Sequence, residues 1–330
     1  MDIIFIRNKL PTLIAINLIA ENLISKNFIF VRHCLEDVNE NPVMGDSFYK
    51  MIEEKAFYTM HIVENKGLIR CYLHVYLLSI LAFISCGKFY LAGITYYPYS
   101  VAAKLNPFLK IITLDDGMAN IHQESSNPYF SNKPYGDSSS ILRKLLNFVF
   151  PHGPTFFIRK KTILHYTGYK NLENIVPREK LKYVKIDWES YLSNEDILFL
   201  KRFIKSEVSL LIGTVFQEPE HTRRRLRGER KRNFVKNIPK EFMSKLDFII
   251  AHPKDSSNIS QLKITRSFHG TAESIIEFLQ NQSVVNKINI IHLGTSSAPI
   301  IKTFSKVKIY DIFAGAYDKT ENNLVHLENL

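Results

Sequence analysis

Residues 88–117 read KFYLAGITYYPYSVAAKLNPFLKIITLDDG, and this stretch decides the predicted fold. Residues 88–92 are a short apolar run of the kind that forms a buried strand, and residues 110–114 are another. Between them, residues 99–105 suit a short helix that ends near Pro107. A strand, a helix and a second strand of these lengths form a βαβ unit, in which the two strands lie parallel in one sheet.

The same alternation extends in both directions from this unit. On the amino-terminal side, apolar runs and helical periodicity predict strands at 2–6 and 28–31 and helices at 11–26, 45–65 and 72–85. On the carboxyl-terminal side, a loop-rich region over 121–160 contains a predicted helix at 139–150, and a further strand is predicted at 161–166.

A second α/β pattern begins near residue 205. It consists of predicted strands at 208–213, 246–251, 286–293 and 306–310 and a helix at 271–280. We therefore predict an α/β protein of the GT-B type, with two Rossmann-like lobes whose parallel sheets face a cleft. The lobes are expected to span residues 1–200 and 201–330, and the final residues could pack back on the first lobe.

Composition narrows the class of protein. The chain has 330 residues, 45% of them hydrophobic and 23% charged, which is ordinary for a soluble enzyme of two lobes. Its net charge of +11 attracts phosphates, nucleic acids, anionic lipids or acidic glycans without choosing among them. Its three cysteines include no CxxC pair, which argues against a disulfide scaffold or a zinc site and favours the reducing cytoplasm.

The start of the chain and its most apolar stretch bear on localisation. Residues 1–6, MDIIFI, lack the basic region of a secretory signal and are typical of a buried strand. Residues 72–85 are too short to span a bilayer comfortably and are expected to form a buried helix. We therefore expect a cytoplasmic protein whose membrane contact is peripheral, on the inner face of the inner membrane.

Polar clusters follow four of the predicted strands, where ligands bind in open α/β sheets. Asp115-Asp116-Gly117 offers a base for an attacking hydroxyl, and an Asx turn that caps the next helix is an equally good reading. The spacing is not Asp-x-Asp, so a metal site is not favoured.

Gly213-Thr214 and His252-Pro253 end two strands of the second lobe, and a histidine in that position can contact a leaving phosphate.

The fourth cluster is Gly294-Thr295-Ser296-Ser297, followed by Ala298-Pro299. Serine and proline favour a helix start, and a helix amino terminus with added hydroxyls binds phosphate, although a plain capping turn has the same sequence. Glu273 could accept hydrogen bonds from ribose, whereas a solvated helix glutamate is the ordinary alternative. The basic run 221–240 could meet membrane phosphates or an anionic glycan, or be a solvated surface.

Together these segments resemble glycosyltransferase family 52, the bacterial lipooligosaccharide sialyltransferases. The stretch from Lys88 through Asp115-Asp116-Gly117 to Ile121 is similar to a segment of that family, as are HYTGYKNLENI at 165–175 and FIIAHPKD at 248–255. TAESII and GTSSAPI stand where the family has its ribose-binding glutamate and its phosphate turn. Each motif is weakly specific, and their order and spacing carry the resemblance.

The resemblance implies an inverting transfer of N-acetylneuraminic acid from CMP-sialic acid to a galactoside-type acceptor of lipooligosaccharide, O-antigen or capsule, without metal or cofactor. It implies that His252 stabilises or protonates the phosphate. Lys254, the basic residue after the His-Pro motif, is expected to bind the substrate as well. Ser296 and Ser297 would bind the phosphate within the Gly294–Ser297 turn, Glu273 would hold the ribose, and Pro253 would line the cytidine site.

The general base is where this sequence departs from the family pattern. Relatives carry an acidic residue shortly after the strand-end glycine, whereas here Gly213 and Thr214 are followed by Val215 and Phe216. Either Glu218 takes that role in a shifted loop, or Asp115 does, and related sialyltransferase families favour Asp115.

Two other functions stay open. One is a transferase of the same family with another donor, either UDP-glucose or another CMP-nonulosonic acid. The other is a basic nucleic-acid-binding or scaffold protein, which would explain the charge but not the four strand-end clusters, so nucleic acid is not the expected partner. A CMP-sugar donor, a glycan or glycolipid acceptor, an anionic membrane and a second copy of the chain are the expected partners.

Overall fold

The computed structural model describes residues 1–6, 8–34, 46–63, 68–116, 130, 141–170, 172–213, 244–251, 265–266, 268, 270–292, 301 and 304–311. The chain divides into two compact units, Met1–Ile186 and Asp187–Leu330. Among the described residues, each unit contains one sheet, and every pairing between strands is parallel. The predicted fold class, two Rossmann-like α/β units, is confirmed, and the cleft between them stays a prediction.

The first unit has a seven-stranded sheet in the order β3-β2-β1-β4-β5-β6-β7. Its strands are β1 (Asp2–Ile6), β2 (Phe28–Cys34), β3 (Tyr58–Val63), β4 (Lys88–Leu91), β5 (Lys110–Leu114), β6 (Thr162–Thr167) and β7 (Leu181–Tyr183). Its helices are α1 (Lys9–Ala20), α2 (Asp46–Glu53), α3 (Leu68–Ile84), α4 (Tyr97–Leu105), α5 (Ile141–Val149) and α6 (Pro154–Lys161). All five residues of β1 are buried, as expected for a central strand covered on both faces.

The second unit has a five-stranded sheet in the order β10-β9-β8-β11-β12. Its strands are β8 (Glu207–Ile212), β9 (Phe248–Ile250), β10 (Thr265–Arg266), β11 (Lys287–His292) and β12 (Val307–Asp311). Its described helices are α7 (Asn194–Leu200) and α8 (Ala272–Asn281). Short 3-10 turns occur at Arg178–Lys180 in the first unit and at Glu189–Tyr191 and Lys201–Phe203 in the second.

The boundary between the units differs from the one predicted after residue 200. The segment from Asp187 onward belongs to the second unit because its aromatic side chains complete that core. Phe199 contacts Phe248 with ring centroids 5.8 Å apart, and Phe203 contacts Phe248 at 5.1 Å. The chain therefore changes units at Ile186, and α7 packs with the sheet that follows it.

Residues 45–65 are not the single helix expected from their periodicity. The structure has α2 at Asp46–Glu53 and then the strand β3 at Tyr58–Val63, which pairs with β2. The sequence of β3, YTMHIV, contains β-branched and aromatic residues, which favour a strand once a neighbouring strand is present. The pairing partner is distant in the sequence, so periodicity alone missed it.

Helix α3 is buried on one side only, whereas its apolar sequence predicted a buried helix. Cys71, Val75, Leu78 and Ala82 lie in the core of the first unit. The opposite side carries large apolar residues that are exposed to solvent, among them Ile69, which is 81% exposed. Within the described part of the chain, no helix is long and apolar enough to cross a bilayer.

The carboxyl half of helix α8 is hydrogen-bonded to the 3-10 turn at Glu189–Tyr191, and one of the carboxylates involved gives a pH-dependent prediction. Glu277 accepts a hydrogen bond from the backbone N–H of Glu189 at 2.9 Å, and Asn281 donates to the Glu189 side chain at 2.7 Å. Burial raises the pKa of Glu277, and the charge of Asp187 raises it further. The ionised form of Glu277 is therefore less favourable in the folded protein than in the unfolded chain.

Glu277→Gln is expected to stabilise the protein at pH 7 by less than about 1 kcal/mol, because the amide oxygen still accepts from Glu189 and the partly exposed charge is removed. A raised carboxyl pKa reduces stability as pH rises above the ordinary value of 4.5, so the difference should vanish in acid. Urea unfolding of both proteins at about pH 4 and pH 7 measures this. An equal difference at both pH values would contradict the assignment.

Candidate functional site

The first sheet reverses its strand order between β1 and β4, and ligands of open α/β sheets bind beyond the carboxyl ends of the strands at such a point. Three residues follow the adjacent strands β1, β4 and β5 at this edge: Asn8, Gly93 and Asp116. Asp116 is partly exposed, and Asn8 donates its side-chain N–H to the Asp116 carboxylate. These contacts place one carboxylate of the Asp115-Asp116 pair at the reversal point.

Local features hold Asp116 there. Asn8 occupies the cap position of α1 and makes no side-chain cap, and its amide N–H₂ group donates to Asp116. The Asp116 carboxylate is thereby held next to the amino terminus of α1, where the helix dipole stabilises an anion. Gly93 has φ +71°, and a Cβ at this position would lie 3.4 Å from Oδ2 of Asp116. A Cβ would make only an ordinary contact there, so the positive φ is the reason that glycine suits position 93, where it adopts the left-handed backbone without strain.

Asp115 has a different environment from its neighbour, because it is fully buried inside a hydrogen-bond network. Its Oδ1 accepts from Nε2 of His165 at 2.8 Å and from the Asn174 amide at 2.9 Å. Its Oδ2 accepts from the Thr167 hydroxyl at 2.6 Å and from the backbone N–H of Gly168 at 2.8 Å. The network joins the end of β5 to the end of β6 and to the segment that follows it.

This geometry bears on the predicted role of Asp115 as general base. A carboxylate has about four acceptor positions, and here four donors use them. A base must present a lone pair within hydrogen-bonding distance of the hydroxyl that it deprotonates. In this conformation Asp115 presents none, so the geometry favours a positioning role for it, and the assignment of the base stays a prediction.

His165 continues the network into the sheet. It is completely buried, and its Nδ1 lies 2.7 Å from the Thr113 hydroxyl on β5. With the Nε2 proton donated to Asp115, the Thr113 hydroxyl is placed to donate to Nδ1. The two side-chain contacts add to the backbone pairing of Thr113 with His165 in the sheet register. Strand ends β5 and β6 are thus held together by polar contacts that exclude water.

An aromatic cluster lies beside the same reversal point. Tyr96 immediately precedes α4, and its ring is 4.2 Å from that of His33 on β2. Tyr99 packs edge-on against Tyr96 at 5.1 Å and contacts Nδ1 of His33 through its hydroxyl at 3.2 Å. Tyr99 and His33 are buried, whereas Tyr96 is partly exposed, so Tyr96 is the member of the cluster that can present its ring to a sugar.

The second sheet reverses its strand order between β8 and β11. The last residues of these strands, Ile212 and His292, are register partners. Gly213 follows β8 and donates its N–H to the carbonyl of Ile250 at 2.8 Å, which continues the pairing with β9. Gly213, predicted as a substrate-binding residue, therefore stands at the reversal point of the second unit.

Glu273 is in the first turn of α8, which begins on the carboxyl side of the second sheet. Thr271 caps the helix by a capping box with Ser274. Glu273 is only 6% exposed, so the alternative of an ordinary solvated helix glutamate is wrong. A buried carboxylate at a helix amino terminus is stabilised by the dipole and can accept hydroxyl hydrogen bonds.

The remaining predicted site residues lie outside the described residues: Gly117, Thr214, Glu218, His252, Pro253, Lys254, Gly294, Thr295, Ser296, Ser297 and the basic run 221–240. Their roles stay predictions. In the sequence, His252 directly follows Ala251. The backbone N–H of Ala251 donates to the backbone carbonyl of Arg266 at 2.9 Å, at the end of the β9–β10 pairing.

Four polar residues of the first unit were missed as site residues: Asn8, His165, Thr167 and Asn174. The sequence contained a signal for three of them, because they belong to the segment 165–175, which begins on β6, the strand beside β5, and continues past its carboxyl end. Asn8 gave no signal of its own, since an asparagine before a helix is normally a cap.

Comparison with known proteins complements this geometry. The model of the family described as glycosyltransferase family 52 matches residues 34–313. No curated protein matches the chain. Among solved structures, the chain is similar to the S. aureus MnaA co-structure with UDP at 11% identity and a TM-score of 0.44, over 99% of this chain and 89% of that one.

Two other solved structures have the same level of similarity. One is a UDP-N-acetylglucosamine 2-epimerase, at 11% identity and a TM-score of 0.43, over 100% of this chain and 87% of that one. The other is the glycotransferase of kitacinnamycin, at 9% identity and a TM-score of 0.47, over 99% of this chain and 90% of that one. The family match covers most of the chain, including the ends of β5, β8, β9 and β11, so the protein belongs to glycosyltransferase family 52 and is a glycosyltransferase.

Proposed function

We propose that the protein is an inverting, metal-independent sialyltransferase. It moves N-acetylneuraminic acid from CMP-N-acetylneuraminic acid to a galactoside-type acceptor of lipooligosaccharide, O-antigen or capsule. The observation that carries the proposal is the reversal point of the second sheet, where Gly213 directly follows β8 beside the end of β11. In sequence, the turn Gly294–Ser297 comes next after β11, and the buried Glu273 lies on the helix that precedes it.

The chemistry of the leaving group supports these roles. Transfer breaks the bond between C2 of the sugar and the phosphate oxygen, so a nucleoside monophosphate leaves with added negative charge. His252 neutralises or protonates that phosphate, and the hydroxyls of Ser296 and Ser297 donate to it. Glu273 accepts from the ribose hydroxyls. The acceptor hydroxyl attacks C2 from the opposite face and gives its proton to a base.

The first unit supplies the acceptor side in this proposal. Asp116 stands partly exposed at the reversal point, where it can accept a hydrogen bond from a sugar hydroxyl. Of the two predicted bases, Asp115 is saturated by four donors, which favours Glu218. Asp115 then orients the backbone on which Asp116 is carried.

Isothermal titration with CMP, with UDP as the competing nucleotide, tests the donor site. We expect CMP to bind and Ser296→Ala/Ser297→Ala to lower its affinity by about 10- to 100-fold, because hydrogen bonds to a charged phosphate are lost. Ser25→Ala/Ser283→Ala, at two exposed serines, is the matched control and should bind CMP normally.

The other outcomes of this titration decide between the alternatives. A preference for UDP would reject the sialyltransferase proposal and favour a family member with a UDP-sugar donor. Failure to bind either nucleotide would reject the proposed donor site and leave a family 52 glycosyltransferase with a different donor.

A further inference from the structure

The outer side of α3 is an unusual surface for a protein in water. Ile69, Leu73 and Leu77 are 81%, 54% and 52% exposed. They recur at four-residue spacing, which places them along one side of the helix. We call these three residues, with Leu81 and Ile84 at the end of the helix, the α3 stripe. A helix of 17 residues gives this stripe a length of about 25 Å.

The apolar surface continues beyond α3. Phe83 is 48% exposed and stacks on Phe108, which is 73% exposed and follows α4, with ring centroids 5.8 Å apart. Contiguous exposed apolar surface of this extent marks an interaction site in most soluble proteins.

The charge of the surrounding sequence indicates what covers this surface. Residues 68–114, which contain α3, β4, α4 and β5, include four Lys or Arg and no Asp or Glu. Residues 138–172, which contain α5, α6 and β6, include six Lys or Arg and again no Asp or Glu. Together the two stretches contain ten cationic side chains, and the net charge of the whole chain is +11.

The helices of these two stretches are neighbours in space. Lys104 on α4 donates to the carbonyl of Val149 on α5 at 2.7 Å, and Lys161 on α6 donates to the carbonyl of Ala103 at 2.7 Å. Arg70, beside the α3 stripe, is exposed. The stripe therefore belongs to a helical layer whose α-helical segments carry Lys and Arg side chains and no carboxylate.

We propose that the α3 stripe and the Phe83–Phe108 pair lie in the headgroup region of an anionic lipid membrane. An interfacial helix needs an apolar side to enter the acyl boundary and cations to meet anionic headgroups, and this layer has both. A second copy of the chain fits less well, because a symmetric contact would bring two cationic layers together without a carboxylate to pair them.

Vesicle cosedimentation of the full chain tests the proposal. We expect binding to vesicles of phosphatidylcholine with about one third phosphatidylglycerol, weak binding to phosphatidylcholine alone, and release by salt. Leu73→Ser/Leu77→Ser should lower the partition coefficient by about tenfold or more. The matched control is Leu198→Ser/Val284→Ser in the second unit, at residues 63% and 56% exposed, which should bind like the unaltered protein.

A second measurement reports the position of the stripe directly. The single native tryptophan, Trp188, is buried at 6% exposure, so it is shielded from lipid. Leu77→Trp adds a fluorophore on the stripe, and brominated phospholipid should quench its emission in anionic vesicles.

Three results would overturn the proposal. The first is normal vesicle binding by Leu73→Ser/Leu77→Ser, which would place the contact elsewhere, for example in the run 221–240. The second is no binding of the unaltered protein to anionic vesicles. The third is a dimer that this variant dissociates, because the stripe would then be covered by a second copy. All three are independent of sugar transfer, so they leave the proposed function untouched.

Discussion

Asp115→Asn is expected to lower the free energy of unfolding by about 3 to 5 kcal/mol, the range for breaking a buried charged hydrogen-bond network from one side. Each oxygen of the Asp115 carboxylate accepts from two donors, His165 and Asn174 on Oδ1 and Thr167 and Gly168 on Oδ2. An asparagine amide replaces one oxygen by an N–H₂ group. In either orientation, that group faces two of the present donors, and at least one of them, the Asn174 amide or the Gly168 N–H, is left without an acceptor.

Urea unfolding followed by circular dichroism measures this loss, and Asp116→Asn is the matched control. Asp116 is partly exposed, so its substitution should change the free energy of unfolding by less than about 1 kcal/mol while lowering the rate of sugar transfer. The pair of variants therefore separates a positioning carboxylate from one that meets substrate.

The same pair decides the assignment of the base. If Asp115→Asn is as stable as the unaltered protein and loses transfer completely, the network opens in the substrate complex and Asp115 acts as the base. If it unfolds more easily and the folded fraction keeps substantial turnover, the positioning role holds. Glu218→Gln should then lose transfer without loss of stability.

His252→Ala is expected to lower kcat by about 10²- to 10⁴-fold, the usual contribution of a positioned acid or base. Under the proposed function, the phosphate of the departing CMP gains charge as its bond to C2 breaks, and His252 is the group that meets this charge. Its contribution is made mainly in the transition state, so KM for the acceptor should change little.

Steady-state kinetics with CMP-N-acetylneuraminic acid and a galactoside acceptor measure this effect. His61→Ala is the control, because His61 is an exposed histidine on the edge strand β3 and should leave kcat unchanged. A kcat for His252→Ala within about threefold of normal would remove His252 from the chemistry. The CMP titration would then show whether the residue serves donor binding instead.

The sequence by itself determined most of the strands, their parallel pairing and the places where polar groups end them. β1, β4, β5, β8 and β11 fall within one or two residues of their predicted bounds, because each is a compact apolar run. Asp115, Asp116 and Gly213 were recognisable because a polar residue after such a run lies at the carboxyl edge of a parallel sheet. Both facts depend on neighbours in the chain, which the sequence shows directly.

Only the tertiary structure distinguished Asp115 from Asp116. The two are adjacent and identical in type, yet one is buried by donors from β6 and beyond, and the other is held by Asn8 after β1. These partners lie 50 and 108 positions away in the chain. No local pattern encodes which carboxylate they reach.

The same reason explains α3, β3 and the boundary at Ile186. The sequence of α3 is apolar on all sides, and only the packing of the first unit leaves the α3 stripe outside the core. β3 is a strand because β2 is there to pair with it. Helix α7 belongs to the second unit because its Phe199 ring packs against Phe248. Apolar periodicity determines which residues can be buried, whereas contacts between distant segments decide which of them are.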